Sequence, residues 1–162
     1  MVIKEYVTDS NIFYMGIPFQ SDFSFKYYIT PEILGEINHI KKKIDGLNLL
    51  LSLKKVIIVE PSLANIAYIL NKIKSLGQFG LSKPDSSILA LGFQLNLPII
   101  STDYTVINTA KFLSLDTIVP GKSNFEVKQN KKYCSICKRY FAIRFLYCNQ
   151  CGNKLIFKSI KK

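Results

Sequence analysis

Four carboxylates and four thiols carry the chemistry that this chain can offer. Asp9 follows the apolar stretch VIKEYV, Glu36 lies in PEILGEI, and the stretch SKPDSSILALGFQLNLPIISTD holds Asp85 near its start and Asp103 at its end. Carboxylates gathered in one cleft repel one another and require a compensating cation. Hard oxygen ligands suit Mg²⁺ or Mn²⁺, and a divalent metal held by acids suits phosphodiester hydrolysis. Each acid also has a plainer use. Asp9 and Asp103 can cap helices, Asp85 can close a capping box on Ser82, and Glu36 can face solvent.

The thiols form a second constellation. Cys134 and Cys137 in YCSICKRY, then Cys148 and Cys151 in YCNQCGN, give two C-x-x-C pairs ten residues apart. Such pairs suit a closed structural zinc site of four thiolates; a redox dithiol is the rival reading. The segment is too small for a sufficient core, so metal binding supplies its folding free energy. Its Lys138, Arg139, Tyr140 and Arg144 interleave cations with aromatics, a composition suited to phosphates and stacked bases.

The elements that must position the acids follow from the apolar pattern. From Ser82, with Pro84 in the first turn, apolar residues at Ile88, Leu89, Leu91, Gly92 and Leu95 predict a helix whose inner face includes Asp85. LPIIS then predicts a buried strand ending at Asp103. Residues 2–7 predict a first strand ending near Asp9, and 16–28 a loop. Thr30 and Pro31 open a helix whose stripe is Ile33, Ile37 and Ile40. Glu36 lies at the margin of that stripe, Glu32 further round as the reserve, and His39 on the polar side. KKKIDGLNLLLSLKK is a lysine patch, a break at Gly46 and a short helix. VIIVEP is a second strand, Ser62 caps a helix through Ile73, Gly77 and Gly80 lead into the next helix, YTVINTAKFL is a helix and DTIVP a last strand. The alternation implies an α/β unit with a parallel sheet and helices on both faces. Asp9 and Asp103 then stand at the carboxyl edge of the sheet, where ligands bind.

Charge separates the two regions of the chain. Residues 1–120 carry 11 Lys and Arg against 10 Asp and Glu, a net +1, whereas residues 121–162 carry 11 against Glu126 alone, a net +10. The asymmetry points to a polyanionic partner reached by the carboxyl-terminal part. With 48% hydrophobic residues the 162-residue chain is globular. No apolar run approaches the roughly 18 residues of a membrane span, and no export signal opens the chain, so the expected location is the cytoplasm. The expected domains are 1–120, a basic linker at 121–132 and a four-cysteine ribbon at 133–162.

Asp9 after the first strand, Glu36 in ITPEILGEI, Asp85 in LSKPDSSILALGFQL and Asp103 in IISTDYTVIN together resemble a PIN-domain nuclease over roughly residues 2–120. Followed by a linker and a four-cysteine ribbon, the whole resembles the Nin-one-binding family of ribosome-maturation endonucleases in a compact, archaeal form. That resemblance implies a PIN-like sheet flanked by helices with a small zinc ribbon. It further implies that Asp9, Glu36, Asp85 and Asp103 hold one or two Mn²⁺ or Mg²⁺ ions and that activated water attacks an RNA phosphodiester, leaving a 3′-hydroxyl and a 5′-phosphate. The implied substrate is the 3′ end of precursor small-subunit ribosomal RNA in a pre-ribosomal particle. The family often has two consecutive aspartates where this chain has Thr102 and Asp103. Rival readings are a toxin-type PIN ribonuclease, a non-catalytic RNA-binding assembly factor, and a zinc-ribbon module acting on DNA.

Overall fold

The computed structural model describes residues 4–40, 46–75, 81–122 and 128–161. The lysine patch at 41–43, the glycines at 77 and 80 and positions 123–127 of the expected linker lie outside the described residues, as does the side chain of His39. The chain falls into two compact units, Met1–Ser123 and Asn124–Lys162.

The first unit is built on a five-stranded parallel sheet in the order β3-β2-β1-β4-β5. Its strands are β1 (Lys4–Thr8), β2 (Phe25–Ile29), β3 (Val56–Ile58), β4 (Ile99–Ile100) and β5 (Thr117–Ile118). Between them run α1 (Ser10–Tyr14), α2 (Ile17–Gln20), α3 (Pro31–Ile40), α4 (Leu47–Ser52), α5 (Leu63–Ser75), α6 (Lys83–Leu95) and α7 (Tyr104–Phe112). The chain moves outward from β1 to β3, then returns to lay β4 on the other side of β1. That reversal opens a crevice at the carboxyl ends of β1 and β4. The register places Val7 beside Ile99 and Thr8 beside Ile100, so the residues that follow these strands emerge side by side.

In this first unit two expectations change. Residues 16–28, read as a loop, contain α2 and most of β2, an inner strand of the sheet. Phe25, Tyr27 and Ile29 supply the apolar side of β2, while its polar residues are absorbed by β1: Glu5 stands opposite Lys26 at 3.9 Å and accepts from the Tyr28 hydroxyl at 3.1 Å. The second change concerns α6. Instead of one buried face, the seven residues Ser86–Gly92 are all buried, because α6 packs on β1 and β4 and is flanked by α3, α5 and α7. Gly92 permits that approach: a Cβ there would stand 2.8 Å from Cγ1 and Cδ1 of Ile99. Such overlap forces buried side chains off their rotamers.

The ends of the helices follow the capping residues of the sequence. Thr30 Oγ1 accepts the Ile33 N–H at 3.3 Å and meets Ser87 Oγ at 2.7 Å, tying the start of α3 to α6. Asn96 ends α6 in the left-handed region at φ +51°. No helix among the described residues is long and apolar enough to cross a membrane.

The second unit is a three-stranded antiparallel sheet in the order β7-β6-β8, formed by β6 (Lys128–Tyr133), β7 (Tyr140–Phe141) and β8 (Ile156–Lys161). Positions 128–132, assigned to the linker from their polarity, belong to β6, which pairs along its whole length with β8.

Candidate active site

Asp9 is the most buried of the four acids, with 3% of its surface exposed. It follows β1 directly and caps α1, accepting the Ile12 N–H on Oδ1 at 3.2 Å. Its other oxygen accepts a hydrogen bond from Ser101, the residue after β4. The same Ser101 hydroxyl accepts the Asp103 N–H at 2.9 Å, so one buried serine couples the two strand-end aspartates. Asp103 in turn caps α7, accepting Thr105 N–H at 2.6 Å and Val106 N–H at 3.4 Å, both on Oδ1.

Asp85 occupies the third position of α6 in a reciprocal capping box. Ser82 Oγ accepts its N–H at 3.2 Å, and Asp85 Oδ2 accepts from Ser82 N–H at 3.2 Å and Ser82 Oγ at 2.7 Å. Glu36 reaches the site from α3. Its Oε2 accepts from Ser10 Oγ, beside Asp9, at 2.9 Å, and the Tyr14 hydroxyl donates to its main-chain carbonyl at 3.3 Å. Glu32 instead faces Lys83 at 3.3 Å, so the inward acid of α3 is Glu36.

Electrostatics tie three of these groups together. Burial pushes the Asp9 carboxyl from 3.8 up to about 6 against the lowering effect of Ser101 and the Ile12 N–H, and the charges of Asp103 and Asp85 push it the same way. None of the four acids has a Lys or Arg partner among the described residues; the ion pairs there are Glu5–Lys26 and Glu32–Lys83. A buried carboxylate without a cation is costly. Carboxylates without a Lys or Arg partner, two of them acting on the buried Asp9, are the kind of oxygen donor a hard divalent cation takes. The four side chains are not drawn as closely together as the thiols are: among the described residues only the cysteines place three or more ligand atoms within 4.8 Å of one another. The sheet face that carries Ile100, on the other side from Ile99, bears a cavity of about 390 Å³ lined by Tyr6, Phe25, Tyr27 and Ile118, and it includes none of the acids.

In the second unit Cys134, Cys137, Cys148 and Cys151 form one cluster, with Sγ separations of 3.5 Å for Cys134–Cys151 and 3.8 Å for Cys137–Cys148. Tetrahedral metal–sulfur bonds of about 2.3 Å imply sulfur–sulfur edges of about 3.8 Å, so the cluster fits a tetrahedral ion. Two equivalent turns build it. Cys134 N–H donates to Arg139 O and Lys138 N–H to Cys134 O, as Cys148 N–H does to Asn153 O and Gly152 N–H to Cys148 O. The fifth residue of each turn is left-handed, Lys138 at φ +56° and Gly152 at φ +70°. The Cys137 N–H, 3.3 Å from Cys134 Sγ, lowers that thiol to about 6, whereas hydrogen bonding to the sulfurs, first Cys151, pushes Cys137 up to about 12. Without a cation the four cannot all ionise. Lys138, Arg139, Tyr140 and Arg144 are exposed. Sequence reasoning passed over Lys158, whose Nζ lies 4.1 Å from the Tyr133 ring centre. It also passed over Ser10 and Ser101, whose signal is a serine within two positions of Asp9 and Asp103.

The family described as the PIN domain of ribonuclease matches residues 6–95, a span that includes Asp9, Glu36 and Asp85. The chain belongs to this PIN-domain family. It is 30% identical over 143 residues to the endoribonuclease Nob1 of Pyrococcus abyssi, covering 87% of this chain and 84% of that protein. It is also 30% identical over 142 residues to the Nob1 endoribonuclease of Methanocaldococcus jannaschii, covering 84% and 68%. Both alignments exceed the 123 residues of the PIN unit and so extend into the cysteine unit. Among solved structures, VapBC2 from Rickettsia felis bound to a promoter DNA fragment shares the fold of the PIN unit, with a TM-score of 0.51 at 16% identity over 71% of this chain and 98% of that one.

The burial of Asp9 has a measurable cost in the metal-free PIN unit. A carboxyl raised from 3.8 to about 6 binds its proton more tightly when folded, so stability falls as pH rises through that window. The deficit is fully present at neutral pH and amounts to at most about 3 kcal/mol. In EDTA at pH 7, Asp9→Asn is therefore expected to unfold at higher urea concentration than the wild type, with the advantage gone below about pH 4. A wild type at least as stable as the variant at pH 7 would contradict the assigned burial.

Proposed function

We propose that this chain is a metal-dependent endoribonuclease of ribosome maturation, cutting the 3′ end of precursor small-subunit ribosomal RNA. The reading rests above all on one observation: Asp9 is buried at the switch point of the sheet, crowded by Asp103 and Asp85, with no cation partner among the described residues. The choice of RNA is supported by the Nob1 relatives, which carry endoribonuclease in their names and align across both units. A toxin-type nuclease would share the acids but leave the cysteine unit unexplained.

Asp9, Glu36, Asp85 and Asp103 would hold one or two Mn²⁺ or Mg²⁺ ions. Such ions supply Lewis-acid polarisation of the phosphodiester and activation of water. The chain's own residues prepare the site for that chemistry. Ser101 holds the Asp9 carboxylate in place and fixes the first turn of α7, and Ser10 does the same for Glu36. The capping box restricts Asp85 and leaves its Oδ1 outside the box. In the reaction, water oxygen bonds to phosphorus as the bond to the 3′ oxygen breaks, the proton passes to the leaving oxygen, and the products are a 3′-hydroxyl and a 5′-phosphate.

The four cysteines would hold one structural Zn²⁺, and Lys138, Arg139, Tyr140 and Arg144 would contact RNA from the folded ribbon. Partner particles and a cytoplasmic location follow from the same reading.

Two experiments test it. An RNA spanning the mature 3′ end should be cut by the wild type with Mn²⁺, and not in EDTA. Asp9→Asn and Asp85→Asn should lose at least a thousandfold in rate while still binding the RNA. Retained metal-dependent cutting by Asp85→Asn would remove it from the site, and tight binding without cutting under every metal would favour an assembly factor. For the ribbon, Cys148→Ser should lower zinc content from one per chain to none and collapse the amide dispersion of residues 128–161 while sparing that of the PIN unit. Dispersed ribbon signals without zinc would contradict a metal-dependent fold.

A further inference from the structure

The acid edge lacks an evident way to hold its substrate. RNA is a polyanion, yet residues 1–120 carry a net charge of only +1 and the proposed site is made of four acids. Lys83 stands beside this edge, at the start of α6, but is already paired with Glu32. The cation placed differently is Lys122. After β5 the chain makes a turn at Val119, Pro120, Gly121 and Lys122, closed by Lys122 N–H donating to Val119 O at 3.1 Å, with Gly121 at φ +74°. Proline followed by a left-handed glycine specifies that turn. It folds Lys122 back onto Tyr104, the first residue of α7 and the neighbour of Asp103. Lys122 Nζ donates to the Tyr104 hydroxyl and lies 4.7 Å from the ring centre. Tyr104 is 53% exposed.

A lysine beside an exposed tyrosine is not by itself a site, as the PIN unit shows elsewhere. On α5, Lys72 lies 5.5 Å from the ring centre of Tyr68, which is 45% exposed and stacks on Phe93. Phe93 is eight residues along α6 from Asp85, about 12 Å at 1.5 Å per residue. Position distinguishes the two pairs. Tyr104 is joined to Asp103 by one peptide bond and opens the helix that Asp103 caps, whereas Tyr68 lies on a helix that carries none of the four acids.

We propose that Tyr104 and Lys122 form a nucleotide subsite at the rim of the acid crevice for one unpaired residue of the RNA, its base on the exposed tyrosine ring and its phosphate on the lysine ammonium. This rests on the endoribonuclease reading and adds to it the two residues that would hold an unpaired nucleotide next to the cleaved bond. A base inside a duplex is already stacked on both sides and cannot lie on the ring. Stacking on an aromatic side chain is worth about 1–3 kcal/mol per base, or roughly 5- to 150-fold in affinity.

The test is binding of a short fluorescent oligonucleotide, single-stranded or as a hairpin duplex, to the zinc-loaded full-length protein with no Mn²⁺ or Mg²⁺ added, where cleavage does not interfere. Tyr104→Ala should weaken single-strand binding about tenfold and leave hairpin binding unchanged, and Tyr104→Phe should restore most of the loss. Lys122→Met should reduce the salt dependence of single-strand binding by close to one phosphate contact. Tyr68→Ala, which removes the similar pair on α5, should bind as the wild type does. Wild-type single-strand affinity in Tyr104→Ala, or equal losses for strand and hairpin, would overturn the subsite. Cleavage read separately with Mn²⁺ distinguishes the two claims. A wild type that binds through Tyr104 yet never cuts defeats the nuclease reading alone, and one that cuts while Tyr104→Ala binds normally defeats the subsite alone.

Discussion

The parallel pairing of β1 with β4 is the constraint on which the site depends. Thr8 lies beside Ile100, so the next residues on the two strands, Asp9 and Ser101, meet at the sheet edge and hydrogen-bond. Everything around that junction is anchored to it. Ser101 fixes Asp103, Ser10 carries Glu36 in from α3, and α6 fits against β4 only because Gly92 has no side chain to strike Ile99. A one-residue slip of β4 would exchange Ile99 for Ile100 against α6 and remove Ser101 from Asp9.

The cost of the arrangement is concentrated in Asp9. A carboxyl with its pKa raised to about 6 is half protonated near pH 6 in the absence of metal, and a bound cation reverses the energetics by favouring the charged form. The cysteine unit follows the same logic with softer ligands. Hydrogen bonds already favour the thiolate at Cys134, while Cys137 is held strongly in its neutral form until a cation arrives. Both units are therefore incomplete folds of charge, one with oxygen donors and one with sulfur.

How much of this the sequence disclosed depends on where each signal resides. Ser82, Pro84 and Asp85 mark the start of α6 because capping is local chemistry, and the C-x-x-C spacing announces four clustered thiols because two sulfurs per turn is a local geometry. Capping and electrostatic coupling are not exclusive: Asp9, Asp85 and Asp103 are each a cap or a capping-box member, and the charges of Asp85 and Asp103 still act on Asp9. The strand β2 has no local signature because its polar Lys26 and Tyr28 find their partner on Glu5, 21 and 23 residues earlier. β6 lacks one for a related reason. Its lysines make it look like a linker, but Lys132 is buried over the Phe157 ring at 3.7 Å, a contact that exists only once β8 is paired. Ser10 and Ser101 are ordinary residues until the sheet brings them to Glu36 and Asp9.

The central claim is that Asp9 gives up a proton to admit a divalent cation. Calorimetric titration of the zinc-loaded protein with Mn²⁺, repeated in buffers of different ionisation enthalpy, counts that proton directly. A pKa of about 6 requires release of about three-quarters of a proton per Mn²⁺ at about pH 5.5, declining to none by about pH 8, and little release at any pH from Asp9→Asn. Saturable Mn²⁺ binding with a heat independent of buffer at pH 5.5 would show that Asp9 is already charged, and that the junction of β1 and β4 is not the electrostatic centre of the site.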